Sequence, residues 1–428
     1  MSQYRKITFE NGIRVVFEKI DFFRSCTMGI WIASGSGYED SSASGASHFM
    51  EHMLFKGSKS RSASEIASQM DEIGGELNAF TTKEYTCVYA RSLKEHSKKA
   101  FEIIADMVTS PRLAAEDIET EKNVITEEIL MYEDSPEDFC ADVFYEKCWP
   151  GSMYGANILG TRESVASMNR ENLLKHLSRF YVPERIVISV CGNFDEDEML
   201  ILCRKYFSKM KNTGNPLATV QLGYKKHITC VKREFEQNQI IIGFPGLPSG
   251  DTDKYALQLM SAALGSASSS RLFQQLREKL GLVYNIDCVN SASLGGGIFM
   301  IYMGLNPSSE KRAITETLQI LADFSSSVTQ PELDRVREQA LAGLVMGLET
   351  CGSRASVNGR RELLYRDIGS VEEAEDKLRA VTLEDVKAIA DKILDFTQLS
   401  ICSVGKVHSR EWYRKLVKDF KDSYSKEA

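Results

Sequence analysis

Apolar and polar residues alternate with a period of two at the start of the chain, which is typical of strands that bury one face. The alternation covers residues 5–36 and is interrupted at Asn11 and Gly12, a pair that favours a tight hairpin turn. The pattern becomes strand-like again over residues 76–91 and over residues 185–191. Strands are therefore predicted at both ends of the first half of the chain.

Between these strands the apolar residues recur with the spacing of helices. Residues 47–57 are apolar nearly all round, which indicates a buried helix, and Gly57 is placed to end it. Ser62 and Glu65 form a capping box, in which each side chain would satisfy a free backbone amide at the start of the next helix. A further helix is predicted over residues 115–132, before a Ser-Pro pair.

The second half of the chain repeats the order of elements of the first half. When residue 380 is laid over residue 167, an offset of 213 residues, a helix leads in both copies into a strand that ends at glycine, Gly192 and Gly405. An offset of about half the chain length indicates an internal duplication. The residue types Asn-Thr-Gly-Asn-Pro at 212–216 favour a linker between the two copies.

The predicted fold class is therefore α+β, with two homologous α/β-sandwich domains. Each domain would contain an antiparallel or mixed sheet packed with helices. The first domain is expected to cover residues 1–211 and the second residues 225–428, joined by a linker at residues 212–224.

Composition excludes several classes of protein. The net charge is -8, and no basic block interleaves with aromatic residues, so nucleic acid is not an expected partner. No apolar run is long enough to span a bilayer, and no signal or transit segment is recognised, so no membrane association is expected. The ten cysteines are scattered without a C-x-x-C pair, which favours reduced thiols and a cytoplasmic location.

The residues best suited to chemistry lie in the predicted buried helix at 47–57. It holds His48 and His52, two of the six histidines of the protein, with Glu51 between them. Residues four apart share one face of a helix, so the three side chains can converge on one point. Two imidazoles with an adjacent carboxylate suit a zinc ion and a base for its water, in the order H-x-x-E-H. The alternative is a buried helix whose histidines are satisfied by hydrogen bonds.

A third ligand would have to come from another helix. In the helix predicted over 115–132, Glu121 and Glu128 are seven residues apart and share one face. One of them could bind zinc while the other accepts a hydrogen bond from the far nitrogen of a ligand histidine. A solvated acidic face explains the same pattern equally well. The remaining histidines lie in polar surroundings and are expected at the surface: His96, His176, His227 and His408.

This combination resembles the pitrilysin family of zinc peptidases, which includes the mitochondrial processing peptidase and insulin-degrading enzyme. The resemblance rests on His48-x-x-Glu51-His52 followed by Glu128, and it continues through residues 54–57, 74–81, 154–160 and 270–284. It implies that His48, His52 and Glu128 bind one Zn²⁺ per chain and that Glu51 is the catalytic base. It also implies that Glu121 supports a ligand histidine.

The resemblance extends to residues that would bind the substrate. Arg277 and Tyr284 match the substrate-clamping pair of the family. A peptide-binding edge strand is matched by four consecutive residues: Asn78, Ala79, Phe80 and Thr81. At an offset of 208 residues, the positions of the two histidines and of Glu51 are occupied in the second half by Ala256, Met260 and Leu259, so only the first half can hold metal by this motif.

The expected function is that of a zinc-dependent endopeptidase acting on extended or unfolded peptides, in which Glu51 takes the proton of the attacking water. The alternative is a non-catalytic peptide-binding or scaffold subunit of the same fold. The chain length resembles the bacterial single-unit branch of the family. A homodimer is therefore expected, in which Arg277 and Tyr284 of one chain complete the active site of the other.

Overall fold

The structure, a computed structural model, describes residues 4–214 and 218–427, with side chains described up to residue 424. The chain forms two compact units. The first unit comprises the described residues of Met1–Leu130, Ala156–Ala218 and Val345–Ser370. The second comprises those of Met131–Gly155, Thr219–Leu344 and Val371–Ala428. None of the described helices is both long and apolar enough to cross a membrane.

The first unit is built on a six-stranded mixed sheet. Its strands are β1 (Tyr4–Thr8), β2 (Arg14–Lys19), β3 (Ser25–Ile32), β4 (Glu76–Thr81), β5 (Thr86–Leu93) and β6 (Ile186–Gly192). They lie in the order β1-β2-β6-β3-β5-β4, with β2 and β6 parallel and β4 at one edge. The stretch predicted as strand over 76–91 is a hairpin, because the turn at 82–85 separates β4 from β5.

The second unit contains a five-stranded sheet. Its strands are β7 (Ile228–Lys232), β8 (Asn238–Gly246), β9 (Val283–Ser293), β10 (Gly296–Leu305) and β11 (Ser400–Gly405). Their order, β7-β11-β8-β10-β9, reproduces the order β2-β6-β3-β5-β4 of the first sheet, and β7 and β11 are parallel as β2 and β6 are. The predicted fold class, two homologous α/β domains with mixed sheets, is confirmed.

The described residues contain fifteen α-helices. In chain order they are α1 (Ala46–Phe55), α2 (Ala63–Asp71), α3 (Ser97–Thr109), α4 (Ala115–Asp134), α5 (Pro136–Cys148), α6 (Arg162–Ser167), α7 (Arg170–Phe180), α8 (Glu196–Phe207), α9 (Lys254–Leu264), α10 (Glu310–Ser327), α11 (Gln330–Met346), α12 (Cys351–Tyr365), α13 (Val371–Ala380), α14 (Leu383–Ile393) and α15 (Arg410–Glu427). A π-helical segment, Phe273–Lys279, precedes β9. The pairs α7–β6 and α14–β11 are the two copies recognised in the sequence.

Each unit contains a helix that comes from the other half of the chain. Helix α5, from the first half of the chain, belongs to the second unit, and α12, from the second half, belongs to the first unit. A division into 1–211 and 225–428 does not describe this exchange. The linker at 212–224 stays a prediction, and its residues 215–217 lie outside the described residues.

Helix α12 packs against β3 and β6 through a close backbone approach and buried polar contacts. A Cβ atom on Gly359 would come within 2.2 Å of Trp31 Nε1, so only glycine fits there. The buried carboxylate of Glu18 accepts hydrogen bonds from Arg354 at 2.6 Å and from Asn358 at 2.7 Å. These contacts fix a helix from the second half of the chain on the sheet of the first unit.

Candidate metal centre

The helix that carries the two histidines of the motif begins at an unusual cap. Its N-cap residue, Gly45, has φ +87°, and a Cβ atom there would lie 2.4 Å from the carbonyl oxygen of Leu159. The free amides of the first turn are satisfied by Glu39, whose carboxylate accepts from Gly45 N at 2.7 Å and from Ser47 N at 2.6 Å. Burial raises the pKa of Glu39 to about 7, and the two amide hydrogen bonds oppose that rise. Glu39 thereby fixes the start of α1.

Three side-chain atoms from α1 and α4 converge in the first unit. Nε2 of His48 and Nε2 of His52 each lie 3.6 Å from Oε2 of Glu128. Tetrahedral zinc with ordinary bond lengths would place its ligand atoms about 3.3 Å apart. Among the described residues this is the one group of His, Cys, Asp or Glu that could hold a metal ion. The donor set, two imidazoles and one carboxylate, fits zinc with one coordination position left for water.

Glu121 orients one of the two imidazoles. Its Oε2 lies 2.8 Å from Nδ1 of His52, and its Oε1 lies 2.5 Å from the Lys56 ammonium. Because Nδ1–H donates to Glu121, the lone pair of Nε2 is directed to the point where Glu128 also lies. The sequence pattern left the roles of Glu121 and Glu128 interchangeable. In the structure Glu121 contacts Nδ1 of His52, whereas Glu128 lies 3.6 Å from its Nε2.

The other imidazole is held neutral by its surroundings. Burial, together with the nearby imidazole of His52, lowers the pKa of His48 to about 3. A neutral imidazole is the form that binds metal, so no proton has to be released near neutral pH.

Glu51 lies beside the three ligand atoms and is not one of them. Its Oε2 accepts a hydrogen bond of 2.6 Å from the hydroxyl of Thr81. Burial raises the pKa of Glu51, while the Thr81 hydrogen bond and His52 oppose the rise. A fixed carboxylate with a raised pKa suits proton transfer better than metal binding.

The four residues matched to a peptide-binding strand lie in β4, at the edge of the sheet. Asn78 is exposed, and the other three are half-buried. Within the described residues β4 pairs with β5 alone, so its other side offers backbone groups to an extended segment. The same strand contacts the candidate base through Thr81. Binding of a peptide by these residues stays a prediction.

The residues predicted to clamp the substrate belong to the second unit. Arg277 lies in the π-helical segment, with its guanidinium carbon 4.8 Å from the centre of the Phe273 ring. Tyr284 is on β9 with 71% of its surface exposed. A π-helical turn frequently marks a functional site. The catalytic role of this pair stays a prediction.

Three of the four histidines expected at the surface are not fully exposed, and one of them, His96, is half-buried. His176, expected at the surface, is buried, with Nε2 2.8 Å from the hydroxyl of Ser34, and burial lowers its pKa to about 3. His227 is half-buried, and burial lowers its pKa to about 4. These histidines have polar neighbours in the sequence, so nothing in the sequence indicated the apolar faces against which they pack.

Two supporting residues were missed entirely. Lys56, which pairs with Glu121, follows His52 by one helical turn, so its position on the same face was the available signal. Glu39 lies six residues before the N-cap, outside the local window in which capping residues are usually recognised.

Comparison with known proteins identifies the family. Residues 14–162 match the profile described as "Insulinase (Peptidase family M16)", and residues 167–340 match "Peptidase M16 inactive domain". A Bacillus subtilis (strain 168) protein named "Uncharacterized zinc protease YmxG" is 37% identical over 409 residues, covering 95% of this chain and 100% of its own. "Uncharacterized zinc protease Rv2782c" of Mycobacterium tuberculosis (strain ATCC 25618 / H37Rv) is 36% identical, covering 91% and 90%. The chain belongs to peptidase family M16, the pitrilysin family.

Solved structures share the fold at lower sequence identity. A protease from Helicobacter pylori has a TM-score of 0.89 at 21% identity, covering 94% of this chain and all of its own. A structure described as the peptidase M16 inactive domain from Pseudomonas fluorescens has a TM-score of 0.88 at 20% identity, covering 95% and 98%. At this identity the similarity shows the fold alone.

Proposed function

We propose that this protein is a zinc-dependent endopeptidase that hydrolyses peptide bonds in extended or unfolded peptides. The observation that carries the proposal is the convergence of Nε2 of His48, Nε2 of His52 and Oε2 of Glu128, with a separate carboxylate, Glu51, beside them. Relatives that cover nearly the whole chain are named zinc proteases, which supports the same conclusion.

His48, His52 and Glu128 would hold one zinc ion per chain. When bound, the ion would supply a Lewis acid for the scissile carbonyl and would lower the pKa of a water molecule. Glu121 keeps His52 in the tautomer that binds metal, and Lys56 compensates the charge of that buried carboxylate.

Glu51 would act as the general base and then as the general acid. It takes the proton of the attacking water and passes it to the nitrogen of the leaving amine. The Thr81 hydroxyl holds the carboxylate in one orientation throughout. Burial raises the pKa of Glu51, which makes its carboxylate a stronger base for the proton of the water.

The substrate would add to the free edge of β4 as a further strand. Backbone hydrogen bonds made in this way tolerate many side chains and require an extended segment. The net charge of -8 favours segments that carry lysine or arginine.

Arg277 and Tyr284 would stabilise the oxyanion of the scissile carbonyl. We propose that they do so in the active site of a second copy of the chain, within a homodimer. A two-fold pair of single-unit chains would bring together one metal-bearing and one metal-free half at each site. A cytoplasmic location stays a prediction of the cysteine pattern.

An unstructured peptide mixture, analysed by mass spectrometry with and without a zinc chelator, tests the proposal. We expect internal cleavage that the chelator abolishes and that added zinc restores. Cleavage that continues unchanged after zinc has been removed would contradict the proposal.

A second candidate is a non-catalytic peptide-binding subunit of the same fold. The match of residues 167–340 to the profile of an M16 inactive domain raises this candidate, although residues 14–162, which carry the metal motif, match the peptidase profile. The same experiment separates the two functions, because such a subunit would bind peptides in the mixture and leave them intact.

A further inference from the structure

The sheet of the second unit is open at its β7 edge. Strand β7 lies at one end of this sheet and, within the described residues, pairs with β11 alone. Its counterpart in the first unit, β2, is covered on the equivalent side by β1, which pairs with it antiparallel. The described part of the second unit contains no strand in the place of β1. The second sheet therefore lacks one neighbour that the first sheet has.

Three residues of β7 direct their backbone groups to this open side. The carbonyl of His227 accepts a hydrogen bond from β11 at 2.9 Å, and the amide of Arg233 donates one to β11 at 3.0 Å. In a parallel pair, alternate residues direct both backbone groups to the same neighbour, so the odd-numbered residues here face β11. The N–H and C=O groups of Ile228, Cys230 and Lys232 consequently face away from the sheet and can pair with an added strand.

The open side of β7 is not closed off by the usual devices of edge strands. Residues 228–231 are half-buried, and Lys232 is exposed. The strand contains no proline, and its register with β11 is unbroken. Natural sheets commonly protect an open edge with proline, a bulge or a covering element, or with charges that repel a similar strand. In β7, charge is the device that applies.

The charge around β7 determines which strand can pair with it. Residues 225–233 hold four basic side chains and no acidic one, in a chain whose 60 acidic residues outnumber its 52 basic ones. Lys225 and Lys226 precede the strand, and Lys232 and Arg233 end it, all of them exposed. Pairing β7 with the β7 of a second copy would bring two such basic sets together, which like-charge repulsion opposes. An acidic strand would meet opposite charges at both ends.

We propose that the open edge of β7 binds an extended acidic segment of another protein as an additional strand. The backbone of the segment pairs with Ile228, Cys230 and Lys232, and its carboxylates lie near the basic residues at the two ends of β7. This site is independent of the peptidase function. Strand β7 carries no residue of the candidate metal centre, and it lies at the opposite edge of its sheet from β9, which holds Tyr284.

Fluorescence anisotropy with a labelled peptide tests the proposal. The zinc-free protein is used, so that the peptide stays intact. The probe alternates threonine and glutamate over roughly seven residues, enough to span β7, and the control peptide alternates threonine and lysine. We expect the acidic probe to bind saturably, roughly tenfold or more tightly than the basic control, and to bind more weakly as salt is added.

Variants of β7 show whether its open edge is the site. Cys230→Pro removes an N–H group that faces away from β11, so the pairing with β11 is kept while an added strand is obstructed. Cys230→Val keeps that N–H group. We expect Cys230→Pro to weaken binding of the acidic probe roughly tenfold and Cys230→Val to retain it. Lys232→Glu, which leaves the backbone intact, should also weaken binding, whereas Lys209→Glu, at an exposed position in the first unit, should not.

Several results would overturn the proposal. They are a lack of saturable binding in the natural protein, equal affinity for the two peptides, and unchanged binding in Cys230→Pro or in Lys232→Glu. A single-stranded oligonucleotide that displaces the probe as well as the unlabelled acidic peptide does would also overturn it, because binding would then depend on negative charge alone and not on an added strand.

Discussion

In the proposed function, single side chains around the candidate metal centre have separable tasks. His48 and His52 would offer lone pairs to the metal, Glu121 would fix the direction of one of them, and Glu51 would move a proton. The division follows from burial and from which atoms are within hydrogen-bonding distance. It can therefore be tested one residue at a time.

The contact between Glu121 and His52 predicts a loss of zinc affinity when the carboxylate is removed. Glu121→Ala leaves Nδ1 of His52 without an acceptor, and zinc should bind about 10- to 100-fold more weakly in a competition titration. Glu119→Ala is the matched control, since Glu119 is an exposed residue of the same helix that pairs with Lys122. Equal zinc affinity in the two variants would refute the orienting role of Glu121.

The buried His176 predicts a pH-dependent loss of stability. Its pKa is lowered to about 3 by burial, whereas in the unfolded chain it is about 6.5, so between these values only the unfolded chain takes up the proton. The free energy of unfolding should fall as pH is lowered from 6.5 towards 3, by up to about 1.4 kcal/mol per pH unit from this residue.

Chemical denaturation of the natural protein and of His176→Asn at several pH values measures this contribution. The difference between the two free energies of unfolding should shrink as the pH is lowered, because the variant lacks the proton uptake. His408→Asn, at an exposed position, should show no such trend. A difference that does not change with pH would contradict the buried, neutral state of His176.

Among the helices and strands, helix α12 is held on its sheet by contacts to a buried charged residue. Arg354 bonds to Glu18, whose side chain is fully buried beneath α12. Arg354→Leu would leave that carboxylate with far less compensation, and the cost should be about 3 kcal/mol of unfolding free energy. Arg361→Leu, on the same helix, removes an ion pair whose partner, Asp367, is largely exposed, so it leaves no buried charge uncompensated and should cost less.

Denaturant titration of both variants compares these costs. If Arg354→Leu were no more destabilising than Arg361→Leu, the buried contact would not be what fixes α12 on the sheet.

The sequence pattern predicted most helices and strands, but it did not predict which of them pack against each other. The i, i+4 spacing of His48 and His52 and the apolar run around them identified α1, and the offset of 213 residues identified two similar units. The exchange of α5 and α12 was not predictable, because an apolar helix face does not specify which sheet covers it. The hairpin at 82–85 was missed because its threonine and tyrosine residues also suit a strand.

The same limit applied within the site. A seven-residue spacing places Glu121 and Glu128 on one face, but it cannot say which carboxylate meets a metal and which meets an imidazole. That distinction depends on how α1 and α4 pack, which places Oε2 of Glu121 2.8 Å from Nδ1 of His52 and Oε2 of Glu128 3.6 Å from its Nε2.

For the whole molecule, the proposed homodimer makes a prediction about mixtures of inactive chains. Glu51→Gln and Arg277→Ala should each be inactive alone. If active sites are shared, half of the randomly mixed dimers contain both variants, and each has one site without a defect, so activity should return to roughly a quarter of the natural level. Peptide cleavage before and after mixing measures this recovery, and no recovery would exclude sharing of sites between chains.

In the proposed reaction Glu51 moves a proton and does not hold the metal. Glu51→Gln keeps the shape of the side chain and removes its basicity, whereas His52→Ala removes a proposed metal ligand. Measured side by side, Glu51→Gln should retain bound zinc and lose peptide cleavage by roughly 10²- to 10⁴-fold, while His52→Ala should lose both. Near-normal cleavage by Glu51→Gln, or loss of its zinc, would contradict the role of Glu51 as the base.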